Sequence, residues 1–365
     1  MAKIMVRQAR ALMGNGSVLA VPYWVIDSGV DGPTLLALAC QHGNEVNGCE
    51  SVRLFAETMA RNLRRGGVFA VPFANPPAMR RHRPHLDLGP EQPYIESRGH
   101  NMQTVWPGRP DGNDTERVAA ALWEAVVKPA THVIDIHCYP LSAAALLQYR
   151  MHSPENEILA RVMAFPFMRR IPAGDVGDWP GALGNQAGLA GKVAVGVELK
   201  GQYTVVEGEV FRGFRGLSNV AKHLGMMAGD PEGMDEPSFL LGDPPAPVTV
   251  QAKQPGLFVG TGLKPCDYVS EGQVLGHLLC DMTLDHVPVA APVAGYLLRS
   301  GVNRPNCDVS LAEQHAFVFD GDTLAVILPR SFQGTMGIAG KGMSMRTKNG
   351  MLADVPASPR LRRAG

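Results

Sequence analysis

The sequence predicts an α/β fold in which a mostly parallel or mixed β-sheet is flanked by helices and followed by a small C-terminal β barrel-sandwich domain. Three observations carry this. Short β-rich runs alternate with helical stretches from about residue 18 to 230, the pattern of strands joined by crossover helices. Several of those runs are apolar throughout, as strands covered on both faces must be. Past the stretch Asp243-Pro244-Pro245-Ala246-Pro247, which reads as a linker, the texture changes to short β-rich runs punctuated by Gly and Pro.

Taken in order, residues 18–26 and 35–40 read as strands, the second a continuous apolar run suited to a buried position. Residues 45–65 read as a helix, because Val52, Phe55, Met59 and Leu63 recur at three- and four-residue steps. Residues 68–73 form another strand, stopped by Asn75-Pro76-Pro77. Asn113 stands three residues ahead of Glu116, a capping-box start for a helix running to about Val127. Residues 133–137 and 193–199 are two further buried strands, and residues 211–227 a helix. Beyond the linker, residues 256–262, 267–276 and 287–298 are the β-rich runs. The expected organisation is an α/β domain over residues 1–240, a β domain over 245–330 and a tail over 331–365 with no clear period.

Composition narrows the function. A chain of 365 residues, 45% hydrophobic and 19% charged, is an ordinary globular protein able to bury a large core. Lys+Arg and Asp+Glu balance at 34 each, so no net field recruits nucleic acid or an anionic membrane. No segment reaches the length of apolar sequence needed to span a bilayer, and the first residues lack a signal-peptide pattern. Six cysteines at 40, 49, 138, 266, 280 and 307 form no CxxC pair, which suits free thiols in a reducing cytoplasm. A cytoplasmic protein is expected.

Three segments place ionisable residues directly after a buried strand, where sites form in open α/β sheets. The first is Gln41-His42-Gly43-Asn44-Glu45, with Gly43 permitting a tight backbone between His and Glu. The second is Asp135-Ile136-His137 and the third Gly196-Val197-Glu198. Two His and one Glu form a catalytic zinc set that leaves a position for water, so His42, Glu45 and His137 are the expected ligands of one Zn2+. Each alone has a plainer reading: a loop histidine, a first-turn helix glutamate, a charged strand end. Asp135 is expected to alternate to the opposite face from His137, with packing or capping weighed equally against an indirect role.

The set resembles a known family. Gln41-His42-Gly43-Asn44-Glu45-Val46-Asn47-Gly48 is similar to the zinc motif of the succinylglutamate desuccinylases and aspartoacylases, relatives of the zinc carboxypeptidases. Asn75-Pro76-Pro77-Ala78 with Arg83, Asp135-Ile136-His137 and Gly196-Val197-Glu198 follow in the family's order. The resemblance implies a zinc carboxypeptidase-like fold and hydrolysis of an amide in a small N-acylated amine or amino acid. It implies that Glu198 is the general base and acid, and that Arg83 stabilises the developing oxyanion.

The sequence departs from the family at Asn101-Met102-Gln103-Thr104-Val105-Trp106-Pro107-Gly108, where Gln103 and Thr104 stand in place of a substrate-gripping Asn-Arg pair. Asn101, Gln103 and Thr104 remain the expected substrate-binding residues, but a hydroxyl cannot rebuild a bidentate guanidinium clamp. Arg80, Arg81, Arg98 and Arg109, around a longer segment over residues 84–100, are the alternative donors, against the plainer reading of each as a surface arginine. The β domain resembles lipoyl and biotinyl carriers, yet residues 280–285 hold no lysine for attachment, so a structural sandwich packing on the cleft is expected, without covalent cofactor. The expected partner is a small N-acyl substrate, with homo-oligomerisation open. The competing readings are a carboxypeptidase-like peptidase and a non-catalytic binding protein that keeps a degenerate pocket.

Overall fold

The computed structural model describes residues 2–86, 100–175, 179–234, 238–241, 246–303, 315–329 and 335–336. The chain opens with an antiparallel hairpin, β1 (Lys3–Leu12) and β2 (Val18–Asp27), of which only the second strand was expected from the sequence. The α/β part follows as β3 (Thr34–Ala39), α1 (Asn47–Asn62), β4 (Gly67–Val71), α2 (Pro76–Arg80), α3 (Asp114–Leu122), β5 (His132–Tyr139), β6 (Leu146–Arg150), α4 (Pro154–Val162), β7 (Phe167–Ile171), α5 (Leu183–Leu189), β8 (Val193–Lys200) and α6 (Glu207–His223). Next come β9 (Ser238–Leu241), β10 (Val248–Gln251), β11 (Gly256–Gly260), β12 (Tyr268–Val269), β13 (Val274–Leu279), β14 (His286–Ala290), β15 (Gly295–Asn303), β16 (Phe317–Val318), β17 (Thr323–Pro329) and β18 (Thr335–Met336).

Ten strands form one mixed sheet in the order β1-β2-β4-β3-β5-β8-β6-β7-β9-β18. Its centre is parallel: β4 with β3, β3 with β5, and β5 with β8. These strands lack the polar–apolar alternation of a half-exposed sheet because both faces are covered. On one face Leu35, Ala37, Ile134, Ile136, Val195 and Val197 pack under α1, α4 and α6. Helix α1 contributes Val52, Phe55 and Met59 of the expected stripe together with Ala56, and Leu63 joins the same cluster from the residue that caps the helix. Each large apolar side chain removed from water there contributes about 1.5–3 kcal/mol. On the other face Leu36, Leu38, Val133 and Ala194 pack under α3 and α5. Helix α3 begins with the expected capping box, Asn113 and Glu116 bonding each other's backbone N–H, and its last turn runs on into a π-helical turn, Trp123–Val127.

The C-terminal strands make two four-stranded antiparallel sheets, β10-β17-β15-β12 and β14-β13-β11-β16, around Val269, Leu278, Leu297, Val318 and Ile327. They rest on the same face of the large sheet as α3 and α5. Tyr296, Leu298 and Leu328 pack there with Leu146, Phe167, Phe239 and Tyr139. Most of the expected tail lies outside the described residues, but Thr335–Met336 pairs with Ser238–Phe239 at the edge of the large sheet. The five described cysteines, 40, 49, 138, 266 and 280, are free thiols. Among the described residues no helix is long and apolar enough to cross a membrane.

Candidate active site

The C-terminal ends of β3, β5 and β8 lie side by side, beneath the face shared by α3, α5 and the C-terminal sheets. His137 is in register with Glu198 on the neighbouring strand. Glu45 stands in the turn before α1, its backbone N–H donating to the carbonyl of His42, so the helix starts two residues later than its periodicity predicts. That turn is held against the Asn75-Pro76-Pro77-Ala78 segment, where Asn75 Nδ2 donates to the Gln41 carbonyl at 3.1 Å. Gly43 is required by crowding: a Cβ there would lie 2.2 Å from the Ala78 carbonyl carbon and 2.4 Å from the Arg83 carbonyl oxygen.

His42, Glu45 and His137 converge as expected. Nδ1 of His42 is 2.8 Å from Glu45 Oε1, and Nδ1 of His137 is 2.9 Å from Oε2 of the same carboxylate. One ligand atom from each lies within 4.8 Å of the others. The outer nitrogens fix the tautomers. His137 Nε2 faces Asp135 Oδ2 at 3.0 Å, and a carboxylate only accepts, so Nε2 carries the hydrogen. His42 Nε2 faces Asn101 Oδ1 at 2.8 Å. That atom also accepts from the Gln103 N–H at 2.9 Å, which identifies it as the carbonyl oxygen. With hydrogens on both Nε2 atoms, two neutral imidazoles and a carboxylate point only lone pairs at one another. Such a set repels unless a cation sits among them, so the residues fit a single divalent ion with N,N,O ligands.

Without a metal the same crowding is relieved by protons. Burial pushes the Glu45 carboxyl up, but the charges of His42 and His137 outweigh it and bring the group down to about 2. Burial opposes the charge on His137, but Asp135 and Glu45 outweigh it and hold its pKa well above the usual imidazole range. Glu198, 8% exposed, is raised to about 8 by burial, with His137 and Arg299 pulling it down and Glu45 and Asp135 pushing it up. A carboxyl placed so can hold or release a proton near neutrality.

The expectation for Asp135 is corrected. Side chains alternate between faces at every residue, so positions i and i+2 share a face. Ile134 and Ile136 point into the core under α1, α4 and α6, while Asp135 and His137 point together to the opposite face. Gln41, His85 and Trp106 also belong to the site, in roles that the sequence does not announce. Gln41 Nε2 donates to Asp135 Oδ1 at 2.7 Å and to Gln103 Oε1 at 3.1 Å, while Gln41 Oε1 accepts from Trp106 Nε1 at 2.8 Å. His85 sits edge-on to His42 at 5.5 Å between ring centroids, and burial, followed by the charge on His42, lowers its pKa to about 3. The signal for Gln41 and Trp106 was their place inside the two quoted motifs; for His85 no local pattern existed.

The expected substrate-binding residues are engaged within the protein. Asn101 supports His42, Gln103 Oε1 accepts from Gln41 and from the Leu183 N–H at 3.3 Å, and Thr104 Oγ1 donates to the Asn101 carbonyl at 2.9 Å. Arg83 follows α2, its backbone beside Gly43. Of the arginines considered as stand-ins for a clamp, Arg109 is largely exposed and paired with Glu116 at 3.0 Å, Arg81 donates to the Leu86 carbonyl, Arg80 is exposed, and Arg98 lies outside the described residues.

Residues 31–224, more than half of the chain, match the succinylglutamate desuccinylase/aspartoacylase catalytic domain. The chain is 28% identical over 319 residues to an N-alpha-acetyl-L-2,4-diaminobutyric acid deacetylase of Halomonas elongata, covering 86% of each. Its fold is similar to that of a succinylglutamate desuccinylase/aspartoacylase from Rhodobacter sphaeroides, with 21% identity, TM-score 0.66, and 89% of this chain and 95% of that one covered. It is also similar to the product-bound ectoine utilization protein EutE (DoeB) of Ruegeria pomeroyi, with 21% identity, TM-score 0.67, and 89% and 94% covered.

Proposed function

Because the chain belongs to the succinylglutamate desuccinylase/aspartoacylase family, we infer that it is a zinc-dependent amidohydrolase releasing the acyl group from a small N-acylated amine or amino acid. The observation that carries this reading is the convergence of both His Nδ1 atoms on the two oxygens of Glu45, with hydrogens fixed on the outer nitrogens. His42, Glu45 and His137 would hold one Zn2+. When bound, the metal would supply Lewis acidity, polarising the acyl carbonyl and making water acidic near neutral pH.

The protein's own groups account for the remaining steps. Asp135 and Asn101 orient the two imidazoles through their outer nitrogens, and Gln41 holds Asp135 in turn. Glu198 takes a proton from the attacking water as its oxygen bonds to the acyl carbon, then gives it to the amine nitrogen as the C–N bond breaks. Its buried position beside His137 keeps it poised for both transfers. Arg83 carries the positive charge that meets the oxyanion developing on the carbonyl. The products are a carboxylic acid and a free amine.

The Halomonas elongata relative gives a starting substrate, an N-acetylated diamino acid. The test is metal analysis of the purified protein, then a screen of N-acyl amines and N-acyl amino acids for amine release before and after chelation. One zinc per chain and chelator-sensitive amine release are expected. Turnover that survives complete metal removal would overturn the reading.

A further inference from the structure

An N-acyl amino acid brings a carboxylate into the site, and burying that charge without a cationic partner costs several kcal/mol or more. Two arginines near the segment over residues 84–109 are engaged elsewhere: Arg109 pairs with Glu116 and Arg81 donates to a backbone carbonyl. A different arginine reaches the site from far along the chain. Arg299 lies on β15, and its guanidinium carbon stands 5.4 Å from the centre of the Tyr139 ring. Tyr139 is two residues beyond His137 on β5 and shares its face. The same guanidinium is within electrostatic reach of Glu198.

Two features of the fold hold Arg299 there. The first is backbone pairing between β15 and the segment that follows β5: the Ala144 N–H donates to the Leu298 carbonyl, the Ser300 N–H to the Ser142 carbonyl, and Ala143 bridges Arg299. The second is a break in register. Leu297 pairs with Ile327 and points into the interior of the C-terminal sheets, so strict alternation would send Arg299 the same way. The register instead shifts between Leu297 and Arg299, and Arg299 pairs with Val326, two residues from Leu328. Leu328 and Tyr296 face the large sheet. One inserted residue therefore turns Arg299 outward onto the catalytic face, which is what β-bulges beside functional sites do.

We propose that Arg299 binds the substrate carboxylate, so that the C-terminal sheets supply the specificity determinant for free acids over neutral amides. The proposal rests on the deacylase reading above. The guanidinium presents paired N–H donors to a carboxylate, a match that neither a hydroxyl nor an ammonium reproduces.

The experiment compares zinc-loaded wild-type protein with Arg299→Gln and Arg299→Lys, on an N-acetyl amino acid and its carboxamide. Wild type is expected to prefer the acid. Arg299→Gln should lower the acid-to-carboxamide ratio of kcat/KM by about 100-fold, mostly through KM for the acid, and Arg299→Lys should restore only part of it. In parallel, calorimetry measures binding of the free amino acid and its carboxamide to each protein, with zinc content and thermal melting recorded. Weaker binding of the acid alone in Arg299→Gln supports the proposal even if no N-acetyl compound turns over, a result that would count against the deacylase reading only. An acid preference that survives Arg299→Gln overturns the proposal. So does equal loss of acid and carboxamide binding, because that is the mark of a structural residue.

Discussion

Asp135 Oδ2 accepts a hydrogen bond from His137 Nε2 at 3.0 Å, while the other ring nitrogen of His137 faces Glu45 at 2.9 Å. Asp135 thus decides which nitrogen of His137 offers a lone pair to a metal, and its second oxygen is held by Gln41 at 2.7 Å. Partners of this kind typically contribute 10–100-fold in metal affinity or activity. Asp135→Asn should weaken zinc binding by about that factor while the protein stays folded. Competition titration against a chelator of known affinity measures it, and unchanged affinity would show that the tautomer is fixed by something else.

Removing a ligand acts more severely. His42→Ala should abolish stoichiometric zinc and amine release together, since two remaining donors make a poor site for this ion. Full activity in that variant, or in chelated wild-type protein, would count against the metal assignment. Metal analysis alongside amine release distinguishes these outcomes.

Glu198→Gln should keep its zinc and lose about 10²–10⁴-fold in turnover. Gln fills nearly the same volume but cannot take a proton from water. Wild-type turnover in this variant would leave Glu198 as a strand end and move the search for a base elsewhere on the same face.

Metal binding should release protons. In the metal-free protein His137 has a pKa held well above its ordinary 6.5, so it is protonated at pH 7, whereas a ligating imidazole must be neutral. Zinc uptake at pH 7 should therefore expel about one proton from this group, and affinity should rise with pH. Calorimetry in two buffers of different ionisation enthalpy reads the number directly. The same shift has a stability consequence. A raised His pKa stabilises the metal-free fold fully below the unfolded value, and that contribution is lost as pH rises through the folded value. For Glu45, lowered to about 2 from 4.5, the contribution is present above 4.5 and lost as pH falls through about 2. Metal-free protein should thus melt at a lower temperature when the pH is raised well beyond 7, with zinc reversing the loss.

Gly43→Ala tests the packing of the ligand turn. Its new Cβ would sit 2.2–2.4 Å from backbone atoms of residues 78, 79 and 83, none of which can swing aside. Overpacking of this kind costs about 1–3 kcal/mol and sometimes more. A clear fall in melting temperature together with weakened zinc binding is expected, while a neutral substitution would show that the turn has room to relax.

What was legible in the sequence was whatever a short stretch of chain decides alone. The largely apolar runs at 35–40, 133–137 and 193–199 are short enough to read as strands buried on both faces, the stripe from Val52 to Met59 has the period of one side of a helix, and Asn113 with Glu116 caps its own helix. His42, Glu45 and His137 were legible because a buried strand that ends on an ionisable residue delivers it to one edge of the sheet. Even Asp135 was within reach, since the two-residue period of a strand puts it beside His137. Other features depend on contacts between segments distant in sequence. Gln41 becomes a hub only when Asp135, Gln103 and Trp106 come together around it. His85 gains its meaning from the ring of His42. Arg299 follows His42 by more than 250 residues and reaches the face of His137 and Tyr139 through one extra residue in an antiparallel ladder. Local spacing specifies which strand end carries an ionisable side chain, because that depends on the chain's own period; tertiary packing alone decides what faces it.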